Sequence, residues 1–215
     1  MPELITSPSN PKIKRLLALQ QKSSARRESG LFVVEGQREL QHCIEAGFEI
    51  DSVFYCPELF SDTVKAEKVF EVNRQVYEKI AMREGTEGVI AEVKTPERRL
   101  EDIVLPDNPL IVVLERVEKP GNLGAVLRSA DAAGADAVLI CDPLTDLWNP
   151  NLIRASIGAV FTVPCVACGS DAAIAFLKER DIRILTAQLQ DSSLYYDCDM
   201  TGGTAIVMGT EATGL

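Results

Sequence analysis

Asn122 and Arg128 stand within ERVEKPGNLGAVLRSA (115–130), a stretch that follows an apolar run and enters a segment of helical character. That order presents an amide and a guanidinium near the carboxyl end of a sheet, where open α/β folds bind ligands. Asn122 could equally cap the helix by accepting a backbone N–H. Arg128 lies between Leu127 and the small residues Ser129 and Ala130 on a helix that would cover the sheet. A guanidinium there needs an anionic or polar partner, in a structural ion pair or in a functional site. Arg154 and Ser156 in NPNLIRASIGA (149–159) could hold phosphate or backbone, although packing and capping account for the composition as well. GTEATG (209–214) follows a strand-like run, and its glycines permit a tight turn and close approach of a ligand to backbone. It is no dinucleotide fingerprint, because G-x-G-x-x-G is absent.

Other reactive side chains point to bland roles. Cys165 and Cys168 form a CxxC pair without the helix start of a redox motif and without a second metal pair, so they are expected as core thiols. His42 is the lone histidine, which argues against histidine-rich zinc sites and any metal centre built on them. Asp142, Asp146 and Asp191 sit among turn residues and are expected as caps or solvated groups.

The elements that must position these residues fall into two parts. Residues 10–27 predict one helix with Ile13, Leu16, Leu17 and Leu19/Gln20 on its apolar stripe and Lys12, Arg15, Lys22 and Arg26 toward the other side. Strands are expected at 31–36, 52–56, 68–72 and 89–93, with helices from Gln37 to Ala46 and after the cap Asn73. The span 1–95 therefore makes a small α/β domain. TPERRLEDIVLPDNP (95–109) is polar and proline-punctuated, so 96–109 is expected as a linker. From 110 to 215 the apolar strands LIVVLE (110–115), AVLIC (137–141), RILTAQL (183–189) and TAIVMG (204–209) alternate with helices, a parallel-sheet α/β pattern.

Composition narrows the class. The chain has 215 residues and a formal net charge of -10. Residues 1–30 run against that balance, with six basic side chains and two acidic ones, net +4, leaving -14 beyond. A polyanion could be met by this basic arm, or the arm is a solvated helix. No apolar run approaches the roughly 20 residues that cross a bilayer, and the N-terminus lacks a signal layout, so a soluble, cytoplasmic protein is expected.

NLGAVLRSADAAGADAVLI (122–140), NPNLIRASIGAVFTVP (149–164) and AIVMGTEATGL (205–215) together resemble the SpoU/TrmH family of SPOUT RNA ribose 2'-O-methyltransferases. FVVEGQREL (32–40) and EGTEGVIAEV (84–93) are similar to members carrying an N-terminal L30e-like substrate-binding domain. The resemblance implies an L30e-like α/β domain followed by a SPOUT-type trefoil-knot domain that binds S-adenosyl-L-methionine in a homodimer. It implies site roles for Asn122 and Glu211 and a catalytic role for Arg128. Gly209, Glu211, Gly214 and Leu215 would line the cofactor, and Thr186 and Ala187 would approach its adenosine. Lys12, Lys14, Arg15, Arg26, Arg27 and Arg154 would meet RNA, with Ser156 in the site wall or interface. Ribosomal RNA is the expected substrate, with transfer RNA as the alternative. A non-catalytic RNA- or ribosome-binding protein and a nucleotide-binding enzyme unrelated to RNA are the competing classes. Family members carry a third motif that is not found after Leu215, so the sheet and cofactor pocket are expected to be incomplete in this chain.

Overall fold

In the computed structural model, which describes residues 2–82, 87–210 and 214–215, contacts group the chain into two units. One comprises Met1–Pro96 with Trp148–Arg154, the other Glu97–Leu147 with Ala155–Leu215. The first unit contains β1 (Glu3–Ile5), α1 (Pro11–Gln21), α2 (Ser23–Ser29), β2 (Leu31–Glu35), α3 (Gln37–Glu45), β3 (Ile50–Tyr55), β4 (Lys68–Val72), α4 (Arg74–Ile80) and β5 (Val89–Lys94). Its strands form a mixed sheet ordered β1-β4-β3-β5-β2, in which β1, β4 and β3 are parallel and β5 is antiparallel to both neighbours. Period-two alternation sends Phe54, Phe70 and Ile90 into a core with Ile13, Leu16 and Leu19 of α1 and Val76 and Tyr77 of α4. Trp148 belongs to this unit because its ring stacks on Phe32 at 4.6 Å between centroids and meets Phe48 edge-on at 5.7 Å.

The basic arm departs from the single helix that its periodicity predicts. The helix breaks at Lys22, which is extended (φ -120°, ψ 119°). The break turns Arg26 inward: it is 5% exposed and donates from Nη1 to the carbonyls of Leu19 at 2.5 Å and Gln20 at 3.4 Å. Arg26 is therefore corrected from a surface cation to a group that satisfies the carbonyls at the end of α1. Arg15 is also committed within the fold. It donates to the Glu92 carboxylate, whose side chain is 0% exposed and also accepts from Ser52 Oγ at 2.6 Å. Arg15 reaches Asp51 at 3.5 Å, and Lys68 holds Asp51 at 2.9 Å. Lys12 pairs with Glu3 at 2.6 Å, while Lys14 and Arg27 are exposed.

The second unit contains β6 (Leu110–Glu115), α5 (Pro120–Ala133), β7 (Ala137–Cys141), the end of α6 (Pro150–Ser156), α7 (Ala159–Thr162), β8 (Cys165–Cys168), α8 (Ser170–Glu179), β9 (Arg183–Ala187) and β10 (Thr204–Met208). The five strands are all parallel, ordered β8-β7-β6-β10-β9. The sheet core joins Ile111, Val113, Leu139, Val166 and Ala205 to Phe176 and Leu177 of α8. Each large aliphatic or aromatic side chain buried here contributes about 1.5–3 kcal/mol. The stretch expected as a linker packs onto this unit: Leu100 is buried, Ile103 and Leu105 join the same core, and Arg98 Nη1 donates to the Cys165 carbonyl at 3.2 Å. The helical stretch 150–162 divides into α6 and α7, because Ile157 (φ 55°) and Gly158 (φ 87°) take left-handed backbone.

Arg15→Ala should leave the Glu92 carboxylate buried without its cation. We expect a loss of about 2–3 kcal/mol in chemical denaturation, below that of a fully buried pair because Arg15 is 42% exposed. Adding Glu92→Gln should recover part of it. Unchanged stability in Arg15→Ala would contradict the ion pair.

Candidate active site

Parallel strands with buried faces leave one end of the sheet for chemistry, the carboxyl end. In the second unit β6 ends at Glu115, and Arg116 takes left-handed backbone (φ 50°) while its N–H donates to the Cys141 carbonyl at 2.8 Å. The chain then turns into α5, with Pro120 at the start of the helix. Beside it, β10 ends at Met208 and continues through Gly209 and Thr210. These segments enclose a cleft of about 470 Å³.

Asn122 and Gly209 both line this cleft. Asn122 is not the helix cap: that position is held by Lys119, and Asn122 sits in the first turn with its side chain exposed. Glu115, Arg116, Glu118, Lys119 and Met208 line the same space. The proximity of Glu115, Arg116, Glu118 and Lys119 to Asn122 along the chain was visible in the sequence, but the positive φ that turns Arg116 was not, and Met208 arrives from β10. Thr186 and Ala187 lie at the same end of the sheet, as register partners of Val207 and Met208 on the exposed edge strand β9. Gly209 has no room for a side chain, since a Cβ there would sit 2.2 Å from the Gly214 carbonyl carbon and 2.3 Å from the Leu215 nitrogen. Gly214 (φ 70°) closes that contact through paired 3.1 Å hydrogen bonds with Thr210. Glu211 lies outside the described residues.

Arg128 is on the same helix further from the cleft, about 9 Å along the axis from Asn122 at 1.5 Å per residue. It is exposed, and Nη1 donates to the carbonyl of Ala155. Gly124 makes that contact possible, because a Cβ on it would lie 2.7 Å from the Ala155 carbonyl carbon and 2.8 Å from the Ser156 nitrogen. Ser156 is 1% exposed and its Oγ accepts from Val160 N–H at 3.4 Å, so it sits inside the packing between α6 and α7. Arg154 falls in the first unit, exposed, and donates to Asn151 Oδ1 at 3.1 Å. Thus Asn122, Gly209, Gly214, Leu215, Thr186 and Ala187 gather at one sheet end. Arg128 stands beyond it on α5, and the basic arm belongs to the other unit.

The remaining reactive groups have structural surroundings. Asp142 follows β7 and accepts from the Ser170 hydroxyl at 2.7 Å and backbone N–H at 3.1 Å, which hold its carboxyl below the usual range. Cys165 is buried, and burial pushes its thiol up. Cys168 is the register partner of Cys141, and their hydrogen bond raises the Cys141 thiol and lowers that of Cys168. Among the described residues there is no cluster of three or more metal-ligating side chains and no helix long and apolar enough to cross a membrane.

Comparison with known proteins matches residues 109–215 to the SpoU rRNA Methylase family and residues 10–91 to the MRM3-like substrate binding domain. The chain is 25% identical over 216 residues to the 23S rRNA (guanosine(2553)-2'-O)-methyltransferase RlmP of Bacillus subtilis, covering 98% of this chain and 84% of the relative. It is similar to the AdoMet-bound rRNA methyltransferase from Sinorhizobium meliloti, with TM-score 0.88, 27% identity and coverage of 99% and 83% of the two chains. A crystal structure of an RNA 2'-O ribose methyltransferase matches with TM-score 0.83 at 34% identity, covering 99% of this chain and 83% of that one.

Gly124→Ala should cost about 1–3 kcal/mol through overpacking against Ala155, despite a helix-propensity gain of about 1 kcal/mol. A thermal melt at or above that of the parent would contradict the close approach of α5 to α6.

Proposed function

We propose, on the premise that the chain belongs to the SpoU rRNA methylase family and carries an MRM3-like substrate-binding domain, that it transfers a methyl group from S-adenosyl-L-methionine to a ribose 2'-hydroxyl of structured RNA, ribosomal RNA foremost. The observation that carries this proposal is the cleft at the carboxyl end of the parallel sheet, where Asn122 and the Gly209–Thr210 backbone face one space of about 470 Å³. That volume is in the range of cofactor sites. The donor set fits the cofactor. Gly209 brings bare backbone to the cleft, and β9 is an edge strand among the described residues, so its outer N–H and C=O groups near Thr186 and Ala187 suit the edge of a purine. We assign Gly209, Glu211, Gly214 and Leu215 to the rest of that wall.

The bound cofactor supplies an electrophilic methyl group on a sulfonium. The chain must hold the ribose hydroxyl in line with it and favour loss of the hydroxyl proton. Asn122 and Glu211 are assigned to arranging that site. Arg128 cannot act as the base, because a guanidinium stays protonated. Its role is electrostatic: it stabilises negative charge developing on the 2'-oxygen and orients the neighbouring phosphate. The hydrogen bond to Ala155 fixes one edge of the guanidinium, and the exposed remainder is available to RNA. Lys14 and Arg27, exposed on the basic arm, with Lys12 and Arg154, are assigned to phosphate contacts that set RNA position without reading sequence. Arg15 and Arg26 are assigned to the fold. The active form is a cytoplasmic homodimer.

Arg128→Ala should lower methyl transfer about 100-fold or more at saturating RNA and cofactor. S-adenosyl-L-methionine binding by calorimetry and thermal stability should remain near the parent values. Arg128→Lys should not restore the rate, since a point charge does not replace a planar fork. Near-normal turnover in Arg128→Ala would remove this residue from the reaction.

A further inference from the structure

The first unit has a second cavity, of about 500 Å³, that the methyl-transfer site does not use. Val53 and Tyr55 of β3 and Val69 of β4 line it. By strand alternation these three lie on the sheet face opposite Phe54 and Phe70, and so opposite α1 and α4. The loop between β3 and β4 supplies buried Phe60 and exposed Asp62 and Thr63. Tyr55 Oη is 3.4 Å from Glu71 Oε2, which holds the phenol on the β4 side. Among the described residues Asp62 and Thr63 make no hydrogen bond, and the exposed Lys65 of the same loop makes no ion pair.

We propose that this cavity receives one unpaired nucleobase of the RNA substrate, with Lys65 meeting an adjoining phosphate. This rests on the reading of the protein as an RNA-modifying enzyme. Apolar and aromatic lining suits the face of a base, and an open carboxylate and hydroxyl suit its donor and acceptor edge. Sequence-specific recognition of RNA uses unstacked bases splayed onto aromatic side chains and hydrogen-bonded along their edges. The cavity's lining from β3, β4 and the loop between them lies within the region matched to the substrate binding domain. It therefore gives the first unit a means of selecting one nucleotide, in addition to holding phosphates.

Amide chemical shifts of the full chain, titrated with ApApA, CpCpC, GpGpG and UpUpU and with ribose 5-phosphate as a base-free control, test this directly. We expect saturable shifts at Tyr55, Phe60, Thr63 and Val69 with at least one trinucleotide, and affinity lower by roughly tenfold in Thr63→Trp, which fills the cavity, and in Asp62→Ala. Absence of saturable shifts there, equal shifts with ribose 5-phosphate, or indifference to both variants would overturn the proposal. Cofactor binding measured separately on the same samples keeps the two readings apart. Loss of S-adenosyl-L-methionine binding by the parent chain would count against methyl transfer and leave the base titration intact.

Discussion

The backbone at Ala155 is the constraint on which the candidate site depends. Gly124 lets α5 come within a distance that no side chain would tolerate, and Arg128, one turn further on, donates to the carbonyl of the same residue. One helix is thereby fixed in both approach and rotation. Its amino end then opens on the cleft at the end of β6, and its guanidinium reaches back to Ala155, which packs against Gly124, with one edge anchored. Gly209 imposes the matching constraint on the other wall, where backbone meets backbone at Gly214 and Leu215. Missing Cβ atoms thus set the approach of α5 to Ala155 and the turn at Gly209, and Glu115, Arg116, Glu118, Lys119 and Asn122 bring polar side chains to the cleft.

Charge follows a different logic in the first unit. Counting residues gives the first thirty a surplus of positive charge, but the fold commits Arg15 to buried carboxylates and Arg26 to helix-end carbonyls. What faces solvent is a smaller set, Lys14 and Arg27 among them. A long-range field still benefits from every cation, including those held in pairs, yet direct phosphate contact is available to those whose donors are not already engaged. Substitution of the whole arm would therefore mix unfolding with loss of the proposed phosphate contacts.

Much of this organisation was legible in the sequence. The all-parallel second sheet followed from apolar runs alternating with amphipathic helices, and Asn73 caps α4 as its position predicts, accepting from Val76 N–H at 2.9 Å. The sites of Asn122 and Gly209 at a strand end were legible for the same reason. Three features were not. The break at Lys22 lacks a glycine or proline signal, so apolar periodicity ran through it and misplaced Arg26. The left-handed backbone at Arg116 and Ile157 is set by tertiary contacts rather than by residue type. Leu100, Ile103 and Leu105 sit in a polar, proline-marked stretch whose composition masks three core contacts.

The central claim is that the methyl group goes to a ribose oxygen of RNA. Incubation of the chain with ribosomal RNA lacking modifications and methyl-labelled S-adenosyl-L-methionine, followed by complete alkaline hydrolysis, tests it most directly, because alkali needs a free 2'-hydroxyl to cleave the chain. The account predicts label in alkali-resistant dinucleotides. Label released with mononucleotides, as base methylation would give, or no transfer of label to RNA would contradict it.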